Sequence, residues 1–172
     1  MIRPPRGKPS SSLANEGEPS GLLIATDIRS GQSGAAGRTA GAATCWIVQL
    51  AGISAHDQVI EIGPGTGALT DHLLEAACSL TAVEIDARSV KYLTRLYPTE
   101  LETGQLLLLR EDVLSLDWSA LLDRLDRRKA PNGAEPETRP KLVANLPYNI
   151  ATRLLISTTR FANRFHSLTV MT

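Results

Sequence analysis

Aromatic residues are scarce in this 172-residue chain, at 4%, and it has only two cysteines and three histidines. The cysteines, Cys45 and Cys78, lie far apart with no CxxC spacing and no histidine cluster beside them. That pattern excludes a zinc site and reads as reduced, structural thiols of a cytosolic protein. Neither sign of charge dominates, with 18 acids against 18 bases. No global field therefore draws the chain to nucleic acid or anionic lipid, and a nucleic-acid partner would need a local basic face. No apolar run approaches membrane-spanning length, no signal-peptide core is visible, and no segment repeats. A Ser-His-Asp constellation is missing too, and His56, His72 and His166 read as surface or packing residues. What is present is a 42% apolar fraction, adequate for the core of one ordinary domain.

Composition divides the chain near residue 46. Residues 1–45 are rich in Gly, Ser, Pro and Ala, with one brief apolar run, Leu22-Leu23-Ile24. Such a segment buries too little to offset its ordering entropy and is expected to be disordered or poorly ordered. Glu16, Glu18 and Asp27 argue against a transit peptide. From Trp46 onward, short apolar runs alternate with helical spacing. Strands are expected at 59–62, 80–85, 106–109, 142–144 and from 168. Helices are expected to end at Ala51 before Gly52, and over 69–77, 90–97 with a stop at Pro98, 118–125 and 151–163. Residues 126–140 read as a polar loop. This alternation implies an α/β fold with a mostly parallel sheet, and ligands bound at its strand ends.

The strongest local motif is "EIGPGTGALT", from Glu61 through Gly63, Gly65 and Gly67. Glycines between a strand and a helix let the backbone approach a ligand closely. Gly63, Gly65 and Ala68 also satisfy a dinucleotide pattern, so an NAD-dependent oxidoreductase is a rival reading. A tight turn without ligand is the plain alternative. Glu84 ends the second strand, where a carboxylate can accept bonds from both ribose hydroxyls. Asp112 follows the third, in "EDVL", where it could accept from an adenine amino group. Each acid alone reads as a solvated carboxylate, but three ligand-type residues at successive strand ends point to a site. The fourth strand leaves through "NLPYNI", residues 145–150. A turn would account for Asn and Pro. Asn145 can also donate and accept hydrogen bonds, Pro147 pushes Leu146 towards an extended backbone, and Tyr148 offers a flat face with a polar tip.

Taken in order, "EIGPGTGALT", "VEID", "EDVL" and "NLPYNI" resemble the four core motifs of the rRNA adenine dimethyltransferase family, over about residues 46–172. Together with "GISAHDQVIEIGPGTGALT", "NLPYNI" is most similar to the small-subunit rRNA dimethyladenosine transferases. The resemblance implies a Rossmann-like fold and S-adenosylmethionine as cofactor. It places Gly63 under the methionine portion, Glu61 and Gly65 among the cofactor-binding residues, Glu84 on the ribose, Asp112 on the adenine, and Ile85 and Val113 flanking that adenine. Asn145, Leu146, Pro147 and Tyr148 become the substrate-amine site, with Asn145 also near the cofactor. Adenine N6 is a poor nucleophile because its lone pair is delocalised. The Asn145 carboxamide oxygen and the Leu146 carbonyl can accept its hydrogens and aim that lone pair, while Tyr148 stacks the extruded base. No metal is called for.

The implied partner is rRNA in the small ribosomal subunit or its precursor. Arg124, Arg127, Arg128, Lys129, Arg153, Arg160 and Arg164 are candidates for phosphate contact, although charge clusters are usually solvated faces. The expected setting is cytoplasmic, without a membrane, and the full-length protein is expected to be a monomer. Alternatives are a large-subunit rRNA adenine methyltransferase and a methyltransferase-derived nucleic-acid-binding transcription factor. Two departures from the family stand out. Its usual Gln-Asn-Phe-Leu-like entry segment is replaced by "SGQSGAAGRTAGAATCW". The chain also stops at Thr172, within the expected fifth strand, before the family's last strands and helical domain. Residues 46–172 are thus expected to be a partial catalytic domain, inactive alone, with the run from Leu168 to Met171 as a bare sheet edge.

Overall fold

The structure is a computed structural model, and it describes residues 21–25, 40–76, 79–127 and 139–172. One six-stranded parallel sheet organises them, built from β1 (Gly21–Ala25), β2 (Gln58–Ile62), β3 (Ser79–Glu84), β4 (Leu106–Arg110), β5 (Lys141–Asn145) and β6 (Ser167–Met171). Helices α1 (Ala40–Leu50), α2 (Ala68–Glu75), α3 (Ala87–Leu96), α4 (Pro98–Thr103), α5 (Trp118–Asp126) and α6 (Tyr148–Thr158), with a 3-10 turn at Thr159–Arg164, fill the connections. The strand order is β1-β6-β5-β2-β3-β4. Order therefore reverses between β2 and β5, and the crevice above that point is where an open α/β sheet receives ligands.

The central strands are buried on both faces, which is why they read as continuous apolar runs. Their two-residue alternation separates two cores. Ile60, Ile62, Leu142, Ala144 and Val170 pack with Trp118, Leu122, Leu154 and Phe165 from the α5 and α6 side. Val59, Leu80, Ala82 and Val143 pack with Ile47, Leu73 and Leu93 from α1, α2 and α3. Parity thus sends Glu61 towards α2, on the face of Val59. Beneath the sheet, Lys141 Nζ donates to Asp57 Oδ2 at 3.0 Å and to the Gly52 carbonyl at 2.7 Å, in a nearly dry pocket.

Several expectations change. The strand from Leu168 is not a bare edge: β6 lies between β5 and β1, whose parallel ladder pairs Leu22 with Leu168 and Ile24 with Val170. That ladder gives the short run GLLIA hydrogen-bond partners that its composition does not reveal. The segment 1–45, expected to be disordered or poorly ordered, therefore contributes a strand and the first residues of α1. Its other residues, 1–20 and 26–39, lie outside the described ones, as does 128–138 of the expected polar loop. Pro98 follows the end of α3 at Leu96, as expected of a stop. It opens α4, where its missing N–H is no loss. The helix expected from 151 starts at Tyr148, directly after Pro147.

Candidate active site

The site forms where four strand ends meet. After Ile62 the chain turns through Gly63, Gly65 and Gly67, each with positive φ. The decisive position is Gly63, at φ 70, where an added Cβ would lie 2.8 Å from Leu146 Cδ2. The glycine is thus what lets the first motif touch the fourth. Gly67 closes the turn by donating its N–H to the Pro64 carbonyl at 2.8 Å, and α2 begins.

Glu84, buried at the end of β3, aims its carboxylate at this turn. Oε2 accepts from the Gly65 amide at 3.0 Å and Oε1 from the Asp86 amide at 2.8 Å. Each carboxylate oxygen retains further acceptor capacity. Asp86 in turn caps α3 by accepting from the Arg88 amide, and this bond, above all, holds its carboxyl below the usual range. Asp112 Oδ1 accepts from the Leu114 amide at 2.9 Å, which folds the loop back after β4. Between these elements lies a cleft of about 310 Å³. Ile62, Gly63 and Val83 border it on one side, Glu84 and Ile85 on a second, and Asp112 and Val113 on a third. Leu146 and Ile150 close it towards α6. Ile85, apolar and bordering the cleft, is 62% exposed.

"NLPYNI" forms the rim beside Leu146. Asn145 is the last residue of β5, paired in register with Met171, and its side chain is exposed. The Leu146 amide donates to the Met171 carbonyl at 3.0 Å. Pro147, at φ −56 and ψ 143, starts α6, and its carbonyl accepts from the Ile150 and Ala151 amides at 2.9 and 3.0 Å. The motif is therefore a strand-to-helix turn. Tyr148, on the first turn of α6, is 71% exposed.

Of the predicted residues, Glu61, Gly65, Asn145, Pro147 and Tyr148 do not line the cleft. Glu61 is buried on the α2 side, where its Oε2 accepts from the Thr70 hydroxyl at 2.8 Å. Burial pushes its carboxyl up to about 8, the Thr70 bond opposes this, and the charges of Glu84 and Asp71 add to it. Of the basic residues, Arg164 is engaged by Asp123 at 2.8 Å and Asp126 at 2.6 Å. Arg124, Arg127, Arg153 and Arg160 are exposed, whereas Arg128 and Lys129 lie outside the described residues. Leu114, Glu111 and Ile150 border the cleft without having been singled out from the sequence. Glu111 and Leu114 lie within "EDVL" and Ile150 ends "NLPYNI", and that membership is the available signal.

Comparison with known proteins matches residues 45–172 to the family described as ribosomal RNA adenine dimethylase. The chain belongs to this family. Its curated relatives in the dimethylase family include the protein named ribosomal RNA small subunit methyltransferase A of Magnetococcus marinus, 44% identical over 110 residues. That match covers 64% of this chain and 34% of the relative. The protein of the same name from Lactiplantibacillus plantarum is 38% identical over 127 residues, covering 73% of this chain and 38% of the relative. The chain thus spans about a third of the length of the curated relatives it matches. Among solved structures, a dimethyladenosine transferase from Plasmodium falciparum is 25% identical with a TM-score of 0.52, covering 72% of this chain and 38% of that one. The 23S rRNA methyltransferase ErmE, 22% identical with a TM-score of 0.52 over 72% of this chain and 42% of its own, shares the Rossmann-like methyltransferase fold.

Proposed function

We propose that this chain carries the cofactor site and the target-base site of an S-adenosylmethionine-dependent rRNA adenine-N6,N6-dimethyltransferase. Its substrate would be adjacent adenosines near the 3′ end of small-subunit rRNA, in the subunit or its precursor. The observation that supports this best is the meeting of the glycine turn with Leu146 across one cleft. Cofactor and base sites then share a wall.

The residues present fit the cofactor by their chemistry. The Glu84 carboxylate, held by two backbone amides, is a fixed acceptor for ribose hydroxyls. Asp112 stands ready to accept from an adenine amino group between the apolar faces of Ile85 and Val113, and Gly63 leaves room for the methionine portion. When bound, S-adenosylmethionine supplies an electrophilic methyl group. The chain's own part is alignment. Asn145 and the Leu146 carbonyl accept hydrogens of the adenine amine, Pro147 fixes the approach, and Tyr148 offers its exposed ring to the extruded base. Small-subunit rather than large-subunit substrates are favoured by the names of the curated relatives. A nicotinamide-dependent oxidoreductase would use the glycine turn but leaves "NLPYNI" without a role. We place the protein in the cytoplasm as a monomer.

The test is Asn145→Ala in a version continued to the length of the curated relatives, assayed by single-turnover methyl transfer to unmethylated small subunits. Transfer should be lost while cofactor affinity stays within about threefold, because the interaction matters in the transition state. Unchanged transfer would return "NLPYNI" to a turn. Cofactor binding in the parent with no transfer at all would favour a nucleic-acid-binding factor derived from a methyltransferase.

A further inference from the structure

The glycine turn is also held from the side away from the cleft. Tyr97, buried between α3 and α4, donates its hydroxyl hydrogen to Asp71 Oδ1 at 2.5 Å, and its oxygen lies 3.1 Å from the Gly67 carbonyl. That carbonyl also accepts from the Asp71 amide at 2.8 Å. At Gly67, with φ 91, an added Cβ would fall 2.6 Å from the Tyr97 hydroxyl and 3.1 Å from Leu93 Cδ2. The phenol therefore occupies the space a side chain at position 67 would need. Burial, then the Asp71 bond and charge, push the Tyr97 hydroxyl upward from its ordinary range, so it remains a donor at any working pH. From Gly67 the bonds continue to the Pro64 carbonyl, and within the same turn the Gly65 amide meets Glu84 Oε2 at 3.0 Å.

We propose that Tyr97 is a positioning residue for the cofactor cleft: its hydroxyl sets Gly67 and the first turn of α2, and through them the Gly65 amide that orients Glu84. The proposal deepens the reading of the cleft as an S-adenosylmethionine site and rests on it. Tyr97 does not line the cleft. Its effect is transmitted from the far side of the turn.

Tyr97→Phe keeps the ring and removes only the oxygen, so calorimetry with S-adenosylmethionine should show affinity weakened about 3- to 10-fold. In a Glu84→Ala background the same substitution should change affinity less than twofold, because the acceptor at the end of its route is gone. A purely structural tyrosine would not show that dependence. Urea midpoints of Gly67→Ala, Tyr97→Phe and the double variant provide a second reading. Gly67→Ala should lower the midpoint less when Tyr97 is already Phe, since the closest clash is gone. Additive midpoint losses, or an affinity change below twofold for Tyr97→Phe alone, would overturn the proposal. If the parent binds no S-adenosylmethionine, the reading of the cleft fails, and the midpoint cycle alone decides whether Tyr97 sets the turn.

Discussion

Glu84 carries two roles, and removing it separates them. Its carboxylate satisfies the Gly65 and Asp86 amides at 3.0 and 2.8 Å inside a largely buried corner. Hydrogen bonds to a charged acceptor each contribute about 1.5–3 kcal/mol, and water entering the space left by Ala restores part of that. We expect Glu84→Ala to lower stability by about 2–4 kcal/mol, read as a lower urea midpoint at unchanged slope. S-adenosylmethionine affinity should fall at least tenfold, a loss of about 1.4 kcal/mol or more. Glu84→Gln keeps one acceptor oxygen and should be intermediate in both. The two readouts dissociate in one informative way. A stability loss without an affinity loss would make Glu84 a structural cap of the turn and refute its ribose role. An unchanged midpoint would refute the hydrogen-bond geometry itself.

Other perturbations follow from the same arrangement. Glu61 binds its proton up to about pH 8 when folded but only up to about 4.5 when unfolded, so the folded state holds the extra proton between those values. Stability should therefore fall as pH rises through that window, by up to about 1.4 kcal/mol per pH unit, and level off above 8. Urea titrations should show Glu61→Gln removing this slope, and parallel curves for parent and variant would contradict the burial argument. Lys141→Met removes the cation 3.0 Å from the buried Asp57 carboxylate, which keeps its Ser54 amide and hydroxyl bonds, and should cost about 3–5 kcal/mol by denaturant unfolding. Replacing both partners by apolar residues should recover much of that loss. Gly63→Ala forces φ 70 on an L-residue and drives a methyl into Leu146, so both thermal stability and cofactor affinity should drop together.

The central strands were legible because parallel strands covered on both faces must be apolar almost throughout, as VIEI and LTAV are. β1 was not, since GLLIA is too short to stand out in a Gly/Ser-rich segment and is ordered by a partner some 145 residues away. Pro98 was legible as the end of α3 but not as the start of α4, because proline fits the first turn of a helix as well as the position after one. At the site, Gly63, Glu84, Asp112 and Leu146 converge as their motifs suggested. Glu61 sits one residue from Ile62 in the same motif, yet strand alternation turns it to the opposite face. Tyr97 carries no motif at all. Its importance exists only where α3 ends against the glycine turn, 30 residues away in sequence.

The most direct test of the account is a pair of calorimetric titrations of this chain, one with S-adenosylmethionine and one with NAD, repeated on Glu84→Ala. The cleft as described predicts one site for S-adenosylmethionine, weakened at least tenfold in the variant, and no measurable heat with NAD. Tight NAD binding, or S-adenosylmethionine binding indifferent to Glu84, would contradict it.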